Sequence, residues 1–112
     1  MRVSPDGTAI DSSTCLDDAN GEAVTVDAAG DAYVVGRAGP HYGPRQGAAI
    51  IKADYPAGAA SQAFVARFSG DSILFSTYLG GSKDDWANDV AVTPLGIYVA
   101  GAGNSVDYPW AP

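Results

Sequence analysis

Short runs in which apolar and polar side chains alternate are the dominant pattern along this chain. In residues 63–68, for example, Phe64, Ala66 and Phe68 fall on one face, while Val65 and Arg67 fall on the other. A period of two residues is typical of β-strands. Turn-forming residues separate the runs, and no segment of 11 or more residues shows a helical period. The pattern therefore predicts an all-β fold.

The second feature is an internal repeat. The matched segments are 13–16 with 76–79 (offset 63), 23–26 with 89–92 (offset 66) and 33–36 with 98–101 (offset 65). The triplet Asp-Tyr-Pro at 54–56 returns at 107–109, at an offset of only 53. The difference of 12 residues predicts an insertion in the first copy, within the loop 37–53.

Each repeat reads as four short strands, which the second copy shows most completely at 63–68, 72–79, 88–93 and 97–101. Four antiparallel strands in a unit of this length are typical of a β-propeller blade. The sequence thus predicts two four-stranded antiparallel blades of an incomplete propeller. The first blade-like repeat spans 1–53, begins in mid-strand and carries the insert 37–53. The second spans 54–106, and 107–112 start a third.

Several motifs together resemble the secreted β-propeller repeats called SBBP repeats. In the second copy they are Val-Ala-Arg-Phe at 65–68, Ser-Thr-Tyr-Leu-Gly-Gly at 76–81, Val-Ala-Val at 90–92, Tyr-Val-Ala-Gly at 98–101 and Ser-Val-Asp-Tyr-Pro at 105–109. The first copy departs from the pattern, because Cys15 replaces the tyrosine and the Gly-Gly pair is missing. The resemblance implies propeller blades in an extracellular or cell-surface protein.

Two blades do not close a propeller ring, which uses 4–8 blades, and each blade buries its faces only against its neighbours. We therefore expect either further blades in a longer chain or self-association. The favoured function is a non-catalytic repeat module with a structural or interaction role, towards a protein or a glycan. The alternatives are a fragment of a secreted propeller enzyme, of the polysaccharide lyase or glycosidase type, and a calcium-stabilised adhesin segment.

Composition narrows the range of partners. The 13 acidic residues outnumber the 6 basic ones and give a net charge of -7, which argues against nucleic acid and against an anionic membrane surface. No apolar run is long enough to span a membrane. The single cysteine excludes an internal disulfide. The first residues lack the apolar region of a signal peptide, so the predicted location rests on the resemblance.

The densest acidic cluster comprises Asp84, Asp85 and Asp89. Carboxylate oxygens on a loop are ligands that Ca²⁺ prefers, so these residues form a candidate metal site. The spacing lacks the Asp-x-Asp-x-Asp-Gly pattern of a dedicated calcium loop. The favoured interpretation is a solvated acidic turn, with calcium as the alternative and no other cofactor expected.

The insert 37–53 is the other candidate site. It holds His41, Tyr42 and Arg45, in a loop that breaks the repeat and concentrates basic residues in an acidic chain. Functional residues often lie on loops that a rigid scaffold presents, so these three are candidate ligand-binding residues. The alternative is a tolerated insertion. The one histidine has no partners that the sequence can assign, and we identify no catalytic residue.

Overall fold

The computed structural model describes residues 1–13, 18–39, 61–70, 72–79 and 84–103. Over these residues the chain forms eight strands and no helix, which confirms the all-β prediction. The strands are β1 (Arg2–Val3), β2 (Ile10–Ser12), β3 (Ala19–Val26), β4 (Ala32–Ala38), β5 (Gln62–Ser69), β6 (Ser72–Tyr78), β7 (Asp85–Thr93) and β8 (Gly96–Gly103). No helix within the described ranges is long and apolar enough to cross a membrane.

The strands pair in a way that differs from the predicted blades. The described residues form one four-stranded antiparallel sheet, ordered β3-β4-β5-β6, and two antiparallel hairpins, β1-β2 and β7-β8. Of the two predicted four-stranded antiparallel sheets, the described residues thus contain one, which we call the central sheet, and it is not built from a single repeat. The central sheet takes β3 and β4 from the first repeat and β5 and β6 from the second.

The burial of β4 and β5 explains why the central sheet combines strands of both repeats. These are the most buried strands, and they pair over seven residues, from Ala32 opposite Phe68 to Ala38 opposite Gln62. A sheet built from a single repeat in chain order would place each of them at an open edge. Pairing them with each other puts both in the middle of one sheet, where their apolar side chains leave water.

The β7-β8 hairpin packs on one face of the central sheet, which we call the inner face. Side chains of Tyr33, Val35 and Val65 on that face meet Ala87 and Val90 of β7 in one buried cluster. Close packing of this kind is the main source of stability in a small β-domain. The hairpin therefore forms a second layer over β3, β4 and β5.

The opposite side of the sheet, which we call the outer face, is only partly covered. Ala38, Phe64, Ala66 and Tyr78 form a buried cluster there, towards the far end of β4. The Tyr78 hydroxyl donates a hydrogen bond of 2.9 Å to the carbonyl of Gly39. By contrast, the valine side chains of β3 on this face are exposed to solvent.

The two repeats share local geometry as well as sequence. The β3-β4 hairpin has a β-bulge after Gly21, and the β7-β8 hairpin has one after Ala87, 66 residues later. Opposite each bulge stands a glycine, Gly36 or Gly101, whose position leaves no space for a side chain. The hairpins β1-β2 and β5-β6 also share a bulge, after Arg2 and Arg67 respectively. The predicted repeat boundaries at 53/54 and 106/107 lie outside the described residues.

Candidate functional site

Of the two candidate sites predicted from the sequence, the structure describes only the acidic one. His41, Tyr42 and Arg45 lie outside the described residues, so their role in ligand binding stays a prediction. Of the acidic trio, Asp84 is half-buried, Asp85 is fully buried and Asp89 is exposed. Over the described residues no group of three or more histidine, cysteine or acidic side chains is placed to hold a metal ion.

Asp85 has a structural position at the start of β7. Its backbone nitrogen donates to the carbonyl of Ser61, and its carbonyl accepts from the Ser61 hydroxyl, both at 3.1 Å. The amide of buried Gln62 lies 3.5 Å from the Asp85 carboxylate. These contacts join the start of β5 to the start of β7, so Asp85 helps to hold the hairpin on the inner face.

The most developed polar arrangement is a cluster that the sequence pattern did not single out. It comprises Asp27, Asp31, Tyr33 and Arg67, and we call it the ion cluster. The Arg67 guanidinium contacts Asp31 Oδ2 through Nη2 at 2.7 Å and through Nε at 3.2 Å. It also approaches Asp27 Oδ2 at 3.4 Å and lies 5.2 Å from the centre of the Tyr33 ring. A cation over an aromatic face gains additional electrostatic stabilisation.

The turn between β3 and β4 sets the geometry of this cluster. Asp27 Oδ1 accepts hydrogen bonds from the backbone nitrogens of Ala29 and Asp31, at 2.9 and 3.0 Å. Gly30, with φ of 90°, provides the left-handed conformation that closes the turn. The other oxygen of Asp27 accepts from the Tyr33 hydroxyl at 2.9 Å. One aspartate thus fixes the turn and orients the tyrosine beneath Arg67.

These contacts shift the ionisation of the cluster. Burial acts to raise the pKa of Asp27, but hydrogen bonds from Asp31, Tyr33 and Ala29 outweigh it and lower the pKa. Burial and the bond to Asp27 raise the pKa of Tyr33. The hydrogen bond to Asp31 raises the pKa of Arg67 further above its ordinary value. These shifts favour a charged Asp27, a neutral Tyr33 and a charged Arg67 at neutral pH.

Chemically, the ion cluster is suited to fastening strands. A general acid or base needs a pKa near the working pH, whereas here the Asp27 pKa is lowered and the Tyr33 pKa is raised. Arg67 belongs to the second repeat and both aspartates to the first, so the cluster spans the junction of the repeats. Two features of the sequence could have indicated this cluster. One is the single arginine within apolar β5, and the other is the pair of aspartates on either side of a glycine turn.

The turn of the β1-β2 hairpin is closed by a similar device. Asp6 Oδ1 accepts hydrogen bonds from the hydroxyls of Ser4 and Thr8, both at 2.7 Å, and from the Thr8 nitrogen at 3.1 Å. These bonds lower the pKa of Asp6 to about 2, with the Thr8 hydroxyl as the largest cause. The hairpin therefore has a turn stabilised by its own side chains.

A groove of about 270 Å³ lies between this hairpin and the outer face of the central sheet. Val24, Val34 and Phe68 contribute apolar surface to its lining, and Met1 and Arg2 line its side towards the hairpin. Exposed apolar side chains in such a groove can receive an apolar surface of another polypeptide.

Comparison with protein-family models gives no match to this sequence, and comparisons with curated proteins and with solved structures give none either. The residues and their geometry are therefore the basis for the function.

Proposed function

We propose that this chain is a non-catalytic β-propeller repeat module with a structural or interaction role. In this proposal it belongs to an extracytoplasmic or cell-surface protein of the SBBP repeat type, as its sequence motifs suggest. The observation that carries the proposal is the central sheet. Half of its strands come from each repeat, and the following hairpin stacks on its inner face. Elements that are completed by their neighbours are characteristic of repeat proteins.

The ion cluster supports a structural role. Its longest-range contact joins Asp27 to Arg67 over 40 residues, and it faces an interface between strands of different repeats. Because the Asp27 pKa is lowered, its carboxylate is a weak base and a poor proton acceptor at neutral pH. In the proposed function this cluster fastens β4 to β5, and recognition is left to the loops that the sheets present.

The stacking of β7 on the inner face is tested by a matched pair of substitutions. Ala87 is buried in the cluster at this interface, whereas its neighbour Asn88 is exposed. Ala87→Asp places an unpaired carboxylate in the apolar layer and should cost about 2 kcal/mol or more in unfolding free energy. Asn88→Asp should cost less than about 0.5 kcal/mol. Equal costs in urea unfolding would show that β7 does not stack there.

The absence of catalysis is tested separately. The chain is incubated with a panel of acidic and neutral polysaccharides, and reducing ends and unsaturated uronic products are measured. We expect no release above that of heat-denatured protein. Turnover that survives further purification, and that is lost on His41→Ala, would replace the proposal with the propeller-enzyme alternative.

The proposed location is tested by digesting intact source cells with protease, which should remove the protein.

A further inference from the structure

Val24 and Val90 occupy equivalent positions in two hairpins that share register and bulge, yet their surroundings differ. Val90 is 7% exposed because it packs on the inner face of the central sheet, whereas Val24 is 63% exposed on the outer face. Val92 and Val26 form a second equivalent pair. Val92 is half-buried against the core cluster, whereas Val26 is 59% exposed. The outer face at β3 thus has the chemistry of a stacking surface and nothing stacked on it among the described residues.

A matching surface exists at the other end of the described structure. The side of the β7-β8 hairpin turned away from the central sheet carries Tyr98 and Ala100, which correspond to Tyr33 and Val35 of the inner face. Tyr98 is 55% exposed, whereas Tyr33 is buried. Among the described residues, this side of the hairpin is therefore an uncovered counterpart of the inner face, and β8 is an edge strand.

We propose that copies of this chain associate head to tail, with the β7-β8 hairpin of one copy stacking on the outer face of the next at Val24 and Val26. The proposal extends the stacking role of the proposed function and rests on it. The groove over the outer face would receive side chains of the incoming hairpin. The second copy is the fitting occupant because its exposed hairpin repeats the surface that already covers Val90.

Strand pairing would complete this contact. Within the chain, β4 pairs with β5 so that Tyr33 lies opposite Arg67 and Ala32 opposite Phe68. The equivalent strands are β8 and β1, and the same register places Tyr98 opposite Arg2 and Ile97 opposite Val3. The edge of β8 in one copy would thus continue into the β1-β2 hairpin of the next, forming a second four-stranded sheet. Arg2 would lie near the Tyr98 ring, as Arg67 lies near Tyr33.

Two departures from the repeat should weaken the association. Asp89 stands where the first repeat has Ala23, so stacking would bring an exposed carboxylate towards an apolar face. Thr93 stands where the first repeat has Asp27, and no aspartate precedes Ile97 to match Asp31, so Arg2 would lack both carboxylates that Arg67 contacts. Both residues provide substitutions that should strengthen the contact. Asp89→Ala should tighten association several-fold, and Thr93→Asp about two- to fivefold, the range of an exposed ion pair.

The mass of the full chain in solution is the first test, measured by sedimentation velocity across a wide concentration range. The described residues of each copy provide one four-stranded sheet and two hairpins, so two to four copies would supply the 4–8 sheets of a closed ring. Val24→Asp should weaken association at least tenfold. Leu95→Asp is the matched control, because it adds the same charge at an 89% exposed turn position outside both faces. A monomeric parent, or equal losses in both variants, would overturn the proposal.

The register is tested by disulfide trapping in a Cys15→Ser background. One preparation carries Arg2→Cys and the other Tyr98→Cys, because residues directly opposite on antiparallel strands are close enough to form a disulfide. We expect a cross-linked dimer when the two are mixed under mild oxidation, and much less from either alone. Cross-linking that is equally efficient within one preparation would overturn the head-to-tail arrangement.

Hydrogen exchange separates this proposal from the proposed function. If Val24→Asp gives a monomer in which β4 and β5 stay protected, the repeat module is retained and the association depends on the outer face. A parent that is monomeric and equally protected would overturn only the association. A parent without protected amides in β4 and β5 would overturn the stacked sheet as well.

Discussion

The Arg67 guanidinium lies 2.7 Å from the Asp31 carboxylate, although 36 residues separate them in the chain. Arg67 stands on β5, and Asp31 immediately precedes β4, so the contact joins the two central strands of the sheet where the repeats meet. Both side chains are partly shielded from water, at 33% and 15% exposure. The pair therefore reports on whether the junction is formed.

A double-mutant cycle measures the strength of this junction. We expect the Arg67→Met and Asp31→Asn substitutions to show a coupling of about 0.5–1 kcal/mol in unfolding free energy, the upper part of the range for ion pairs near a surface. The control is Arg37 with Glu22, a more exposed pair at 3.5 Å whose coupling should be smaller. Zero coupling for Arg67 with Asp31, measured by urea unfolding, would contradict the assigned contact.

A second prediction concerns the bulge in the β3-β4 hairpin. A side chain at Gly36 would clash with the backbone carbonyl of Asn20 on the facing strand, which has no freedom to move aside. Gly36→Ala should therefore cost about 1–3 kcal/mol, the usual range for overpacking. Gly21→Ala is the control, because its new methyl group meets only the Val34 side chain, at 3.3 Å.

The equivalent substitution extends this test to the second hairpin. Gly101 faces the carbonyl of Trp86 in the same way, so Gly101→Ala should cost a similar amount. The comparison is made by thermal unfolding at one pH. A Gly36→Ala protein as stable as Gly21→Ala would show that the strands do not approach each other as described.

The strands were predictable from the sequence because alternation and turn residues act locally. The predicted segments 63–68, 72–79, 88–93 and 97–101 correspond closely to β5 to β8. Their pairing was not predictable in the same way. A strand of a repeat protein can pair within its own repeat or with the next one, and the local pattern is the same in both cases. Burial of β4 and β5 together decides between the two.

The ion cluster shows the same limit at the level of side chains. The turn at Asp27 could be anticipated from the glycine that follows it, since aspartate and glycine favour turns. The contact with Arg67 could not, because it depends on the pairing of β4 with β5 across the predicted insert. Residues 40–53 of the insert, with His41 and Tyr42, lie outside the described residues, so the sequence remains the source of that prediction, whereas its first residues, Arg37 and Ala38, belong to β4.

Acid should weaken the turn that Asp27 organises. Its pKa is lowered in the folded chain, so its charged form is favoured by folding, and this contribution is present above the unfolded value of about 3.9. The contribution is lost as the pH falls through the folded pKa. We expect the Asp27 carboxyl resonance to titrate below the unfolded value in an NMR experiment, and the stability of Asp27→Asn to depend less on pH in this acidic range. A midpoint at or above the unfolded value would contradict the described bonds.

Calcium provides the last prediction, because Asp84, Asp85 and Asp89 suggested a metal site. Asp85 is fully buried beside Gln62 and contacts Ser61, whereas Asp89 is exposed and accepts a bond from its neighbour Val90. In this arrangement Asp85 attaches the start of β7 to the start of β5. We therefore expect the same melting temperature in millimolar Ca²⁺ and in chelator.

The size of the effect makes this experiment decisive. A site filled at ten times its dissociation constant would add about 1.4 kcal/mol to the unfolding free energy, which a thermal scan resolves. Asp85→Asn and Asp89→Asn separate the two interpretations further. In the scaffold, the first should destabilise the chain with or without Ca²⁺, and the second should have little effect. A Ca²⁺-dependent rise in melting temperature that both substitutions remove would instead establish the calcium-stabilised alternative.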